Sequence, residues 1–135
     1  MWRDDGVMSG EAEPGRSEPT AMRRVRGRIV LPTTQLPPEA ASIVVAVEDV
    51  SHADAPSRVL AEQRLEHVPL DGGEVAFEVE IPAGLVEDRA RYSVGVHVDV
   101  TGTGIVERGD LVSTQSHPVL TFGNPDEASV PVKVV

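Results

Sequence analysis

The run Asp99 to Asp110, DVTGTGIVERGD, is the stretch whose residue types and spacing could hold an ion. A calcium loop of the EF-hand type takes oxygens from its positions 1, 3, 5, 7, 9 and 12 and turns sharply on a glycine at position 6. Those positions hold Asp99, Thr101, Thr103, Ile105 through its carbonyl, Glu107 and Asp110, with Gly104 in the turn. Threonine stands at two positions where Asp or Asn would bring a stronger oxygen, and the final Asp is shorter than a bidentate Glu. The competing reading is a Gly-rich loop between two strands, and the cofactor expectation is none, with Ca2+ at this loop as the exception.

Other chemistry finds little to stand on. His52, His67, His97 and His117 are scattered, with no pair at metal-ligand spacing, although His97 and His117 could meet across strands; all four read as surface or loop residues. Glu78 and Glu80 alternate along one exposed strand face, too wet to separate two carboxyl pKa values for acid and base roles. No nucleophile elbow, phosphate loop, zincin or dinucleotide signature occurs, since Gly102-Thr103-Gly104 is followed by Glu107 where a third glycine would stand. The chain therefore does not read as an enzyme.

A binding role has better material in SIVVAVEDVSHADAPSRVLAEQ, Ser42 to Gln63. Residues 43 to 47 are unbroken apolar and rich in β-branched side chains, as in a strand covered on both faces. Pro56 then pushes Ala55 out of the helical region while Asp54 and Ser57 can bond nearby backbone, so Ala53 to Ser57 reads as a formed turn. Arg58 to Leu65 mixes helix-forming residues with a loose alternation broken at Gln63, and is taken as the returning strand. Two roles compete for the loop. In one, Asp49, Asp54 and Arg58 pair locally and pin the hairpin; in the other, Asp49, Ser51, Asp54, Pro56, Ser57 and Arg58 form a partner-binding loop at one end of the fold.

Composition sets the frame for these residues. The 135-residue chain is 40% hydrophobic but only 3% aromatic, so Val, Ile, Leu and Ala must fill one core. A formal charge of -10 disfavours nucleic acid and anionic lipid surfaces as partners. There is no cysteine, hence no disulfide, thiolate site or lipid-attachment thiol. No run reaches membrane-spanning length and residues 1 to 22 contain no secretory apolar core, so as written the chain reads as soluble and cytoplasmic. Its oligomeric state is left open.

Taken in order, residues 1 to 22 read as a disordered polar tail in which Trp2 is solvent-exposed, and residues 23 to 135 as one domain. Val25, Gly27, Ile29 and Leu31 alternate with Arg24, Arg26 and Arg28, which predicts an edge strand guarded by charge. Asp71, Gly72 and Gly73 predict a hairpin turn. Val75, Phe77, Val79 and Ile81 predict an inward face, followed by a short turn in which Leu85 and Val86 cover the core. Tyr92, Val94, Val96, Val98 and Val100 predict a long strand with one buried face. Leu111 to Thr114 and Pro118 to Phe122 read as short strands, and Val130, Val132 and Val134 close the sheet, with Pro131 marking an edge. About seven or eight short strands without a convincing helix describe an all-β fold, a small antiparallel β-sandwich of immunoglobulin-like or transthyretin-like kind.

The string DVSHADAPSRVLAEQ (Asp49 to Gln63), with GRIVLPTTQLPPEA before it and SHPVLTFGNPDEASVPVKVV at the end, resembles the YbaY/YscW-type domain over roughly residues 25 to 135. That group comprises small bacterial envelope lipoproteins and includes secretion pilotins. The resemblance implies a small β-sandwich without catalytic activity and a protein partner, which for pilotins is a secretin subunit carried to the outer membrane. This chain shows neither the leader nor the acylated cysteine usual in the group, and has His117 where relatives tend to carry an aromatic before the Pro-Val-Leu-Thr string.

Overall fold

The structure, a computed structural model, describes residues 21–135. The expectations for Trp2 and for a disordered segment over residues 1–20 lie outside the described residues. Met22, placed in the tail by the sequence pattern, already belongs to the first strand.

Among the described residues, nine strands form two facing sheets. In chain order they are β1 (Met22–Val30), β2 (Glu39–Asp49), β3 (Arg58–Pro69), β4 (Glu74–Pro82), β5 (Tyr92–Asp99), β6 (Leu111–Val112), β7 (Pro118–Val119), β8 (Glu127–Pro131) and β9 (Lys133–Val134), with one 3-10 turn at Ala83–Leu85. The smaller sheet has the order β4-β1-β8. The larger has the order β3-β2-β5-β6-β9, with β7 also on β5. Val25, Ile29, Phe77, Val79, Ile81 and Val130 of the small sheet meet Ile43, Val45, Val47, Val94, Val96 and Val98 of the large one in a single core. With so few aromatics, β-branched side chains fill it, and these are the residues that favour the pleated backbone.

The clearest sequence patterns hold. The 53–57 turn joins β2 and β3 as an antiparallel hairpin, whose bulge lies at Val47/Glu48, and Phe77, Val79 and Ile81 face inward. Pro131 does sit in an edge strand, because β8 pairs only with β1.

Several expectations are corrected. β1 is the middle strand of its sheet, not an edge. Its arginines are neutralised across the strands, since the register sets Arg24 opposite Glu80 and Arg26 opposite Glu78. Arg24 reaches Glu80 at 3.0 Å and Arg28 reaches Glu74 at 3.3 Å. The pairing of β1 with β8 is parallel, so the sandwich is antiparallel everywhere but there. At that pairing Gly27 leaves room for the neighbouring backbone: a Cβ on it would lie 1.8 Å from the carbonyl oxygen of Ala128.

Asp71, Gly72 and Gly73 make no hairpin. The chain crosses there from the large sheet to the small one, and the carbonyl of Gly73 accepts the N–H of Leu31 at 2.9 Å. A second crossing follows Pro131: Val132 is buried, β9 joins the large sheet, and Val134 faces solvent instead of closing a core. β6 and β7 are only two residues each, both paired with β5, and beyond β6 a single bond continues the contact, from Ser113 N–H to Val96 O at 3.0 Å. β5 is covered on more than one face, with Ser93 and Asp99 buried as well as the valines.

The two sheets also touch along one side. Gln63 of β3 faces the interior of the sandwich, and its Oε1 accepts the Glu78 N–H of β4 at 2.8 Å.

Candidate functional site

One end of the sandwich gathers the hairpin loop 50–57, the segment 83–91 and the turn 120–126. Each is held by bonds that begin in the strands. Asp49 Oδ1 accepts both the N–H and the hydroxyl of Ser51 at 2.9 and 2.6 Å. Those two bonds, hydroxyl first, hold the Asp49 carboxyl below its ordinary pKa. Ser51 Oγ in turn accepts the N–H of Arg91 at 2.9 Å, and the Arg91 carbonyl accepts the N–H of Val50 at 2.8 Å. The loop is therefore stitched to the start of β5.

The structure places each loop residue named from sequence as follows. Asp49 and Ser51 pin the hairpin, and Ser57 donates to Glu48 Oε1 at 3.1 Å. Arg58 begins β3 and reaches Asp49 only as a minor through-space influence. Asp54 and Pro56 are exposed, and Asp54 bonds to no side chain or backbone group among the described residues. In place of the expected three-way pairing of Asp49, Asp54 and Arg58 there is an Asp49–Ser51–Arg91 chain, since β2 runs beside β5 and its end at Asp49 faces Tyr92.

The sequence pattern missed the apolar part of this end. Leu85 was expected over the core but is 51% exposed, while Val86 packs inward in its place. The Tyr92 hydroxyl fixes that turn by accepting the Glu87 N–H at 3.0 Å. Val59, with 52% exposure, and Leu85 line opposite walls of a shallow groove of about 400 Å³. In the 120–126 turn, Phe122 is 56% exposed and carries the Arg91 guanidinium 4.5 Å from its ring centroid.

Phe122 is held there by a strained turn. Leu120 and Phe122 have φ values of 74° and 58°, a region that bulky side chains rarely enter. Surrounding bonds keep the turn in place: Thr121 Oγ1 donates to the Ala90 carbonyl at 2.7 Å, and Asn124 Nδ2 to the Thr121 carbonyl at 2.8 Å. Gly123 also has a positive φ, of 75°, while the sequence pattern, which put Pro118 to Phe122 in a strand, did not foresee positive φ at its apolar residues.

The second sequence candidate, residues 99–110, lies at the other end of β5. Asp99 Oδ1 and Oδ2 accept the N–H groups of Gly102 and Gly104, both at 2.9 Å. Asp110 Oδ1 accepts Val100 N–H at 3.0 Å, and its Oδ2 accepts Glu107 N–H at 3.2 Å and His97 Nε2 at 2.8 Å. Thr101 donates to Glu107, and Thr103 to the Ile105 carbonyl. Every carboxylate oxygen of Asp99 and Asp110 thus staples the loop. His97, Asp99 and Asp110 do bring ligand-type atoms within 4.8 Å of one another, a grouping that crosses the calcium-loop spacing.

His97 is a correction to the surface assignment of the histidines. It is only 20% exposed at its side chain and pairs with the buried Asp110, not with His117. Burial pushes the Asp110 carboxyl up, but the bonds from His97, Val100 and Glu107 outweigh it and leave the pKa below its ordinary value. His117 instead donates its backbone N–H to Ser93 Oγ at 2.9 Å.

The outer face of the small sheet forms a third, wide concavity. It is lined by Arg26 and Arg28 facing Glu74, Glu78 and Glu127, so its charges largely answer one another. Glu78 and Glu80 are accordingly partners of arginine, with Arg24 at 3.4 and 3.0 Å.

The fold is thus of the small two-sheet β-sandwich class, with exposed apolar side chains in several of its loops. The family model for the type III secretion system lipoprotein chaperone, YscW, matches residues 20–132, and the chain belongs to that family. The family is of chaperone type, which handles a protein partner. Among solved structures, the chain is similar to an alternative pilotin from the type II secretion system of Vibrio cholerae. The TM-score is 0.73 at 22% identity, covering 85% of this chain and 98% of that one, a likeness of fold. No curated protein matches. Among the described residues no helix is long and apolar enough to cross a membrane.

Proposed function

We propose that this chain is a non-catalytic docking module that holds a secretion-system protein, of the secretin-subunit kind, through the loop end of the sandwich. The observation that carries the reading is the groove shared by exposed Val59 and Leu85, with exposed Phe122 on a turn of the same end, on loops whose backbones are tied down. Exposed large apolar side chains on a fixed frame lose little entropy on binding, which is what a docking surface needs. Membership in a chaperone family supports a polypeptide as the thing bound.

The test is recovery of partners by the tagged chain from fractionated cells of its native host, repeated with Val59→Glu and Leu85→Glu. Both side chains are largely exposed, so the fold survives the change. Enrichment of a secretin-class subunit by the native chain, lost in both variants, supports the reading. Equal recovery by the variants moves the docking surface elsewhere.

A further inference from the structure

We infer that Arg91 and Phe122 together anchor this surface, and that the segment they take carries a carboxylate next to an apolar side chain. The inference rests on the docking role proposed for the loop end and specifies the chemistry of what docks there.

Arg23, Arg24, Arg26, Arg28 and Arg64 each lie within ion-pair distance of a carboxylate. Arg58, Arg89 and Arg91, all on the loop end, make no ion pair among the described residues. In a chain of net charge -10, three of the four guanidinium groups without an ion pair among the described residues lie at this end, Arg108 standing in the 99–110 loop, and they match an acidic group on a partner.

Arg91 is the best placed of the three. Its N–H and C=O are both bonded to the 50–51 segment, and its guanidinium lies on the Phe122 ring. The guanidinium carbon lies 4.5 Å from the ring centroid and the group makes no side-chain bond among the described residues, so its N–H groups can take a carboxylate through two parallel bonds. Phe122, 56% exposed, offers an apolar side chain a place to pack next to that group. Phe122 keeps a backbone conformation of positive φ to stand there, and Thr121 and Asn124 hold it.

Glu87, Asp88 and Asp54 occupy the same end, so the loop end as a whole has no strong positive field. Selectivity therefore comes from the placement of Arg91 against Phe122. A lysine-rich segment would meet these acids but would leave the guanidinium unanswered.

The experiment is selection of a displayed random peptide library on the full chain. Affinities of the enriched peptides, made synthetically, are then measured for the native chain and for Arg91→Gln, Arg91→Lys, Phe122→Ala and Arg64→Gln. Amide shifts locate the binding. The expected result is enrichment of Asp or Glu beside a large apolar residue. Arg91→Gln and Phe122→Ala each weaken binding about tenfold or more, Arg91→Lys recovers part of it, and Arg64→Gln changes nothing. Arg91→Gln keeps both backbone bonds of residue 91, and an unchanged melting curve verifies its fold.

Failure to enrich any peptide, enrichment of basic or uncharged peptides, or acidic peptides indifferent to Arg91→Gln overturns the inference. If such peptides still shift amides of residues 49–58, 83–91 and 120–124, the docking role survives without its acidic partner. Shifts confined to the outer face of the small sheet remove both.

Discussion

Gln63 reaches across one side of the sandwich, and its Oε1 accepts the backbone N–H of Glu78, an edge residue of the opposite sheet, at 2.8 Å. A side chain thereby takes the place of a strand at the edge of β4, an exposed position that would otherwise invite pairing with another chain. Gln63→Ala should lower unfolding free energy by about 0.5–1.5 kcal/mol with an unchanged urea slope. An unchanged midpoint would show that water serves Glu78 equally well.

Gly27 tests the parallel pairing of β1 with β8. A Cβ at this position meets backbone, not a flexible side chain, at 1.8 Å from the Ala128 carbonyl oxygen. Gly27→Ala should cost about 1–3 kcal/mol or more by forcing β8 away. Urea unfolding that is no weaker than for the native chain would contradict the register of Gly27 with Ala128.

The hairpin loop separates positioning from contact. Asp49→Ala removes both acceptor bonds to Ser51 and loosens its hold on Arg91, so stability should fall by about 1 kcal/mol. Asp54→Ala should change stability by less than about 0.5 kcal/mol. Equal losses in the two variants, measured by thermal unfolding, would mean that Asp54 also pins the loop.

Asp110 gives a pH dependence with a definite sign. Its folded-state pKa is depressed, so its contribution to stability is complete above the ordinary aspartate value of about 3.9 and is lost as pH falls through the folded value. Asp110→Asn should therefore be less stable than the native chain at pH 7. The difference should narrow only below about pH 4. A gap that is constant from pH 7 to pH 2.5 would mean that the carboxylate charge does not hold the 99–110 loop.

Much of the sandwich was legible because β-strands write their burial into sequence at a period of two. Val25 and Ile29, then Phe77, Val79 and Ile81, face the core as their alternation requires. Gln63 stood out as a break in such an alternation; its reason lies in β4, which no local pattern reports. The same limit explains β1. Its arginines read as an edge device because the glutamates that answer them are some fifty residues away, at matching two-residue spacing. Asp71, Gly72 and Gly73 fixed a turn without fixing which sheet the chain enters next.

At the candidate surface, Asp49 and Ser51 were visible as turn-forming residues near a distinctive loop. The apolar residues beside them were not. Leu85 and Phe122 look like core residues by type, and only the turn bonds around Tyr92 and Thr121 leave them outside. The Asp99 to Asp110 spacing was real, but spacing alone does not say whether carboxylates face an ion or the N–H groups of their own loop.

The most direct test of the docking surface is photocrosslinking in the native host, with a photoreactive residue placed at Leu85 or, for comparison, at Ala76 on the outer face of the small sheet. The account predicts a crosslink from position 85 to a secretin-class secretion subunit and none from position 76. Crosslinking from position 76 alone would contradict it and place the partner on the charged outer face of β4, β1 and β8.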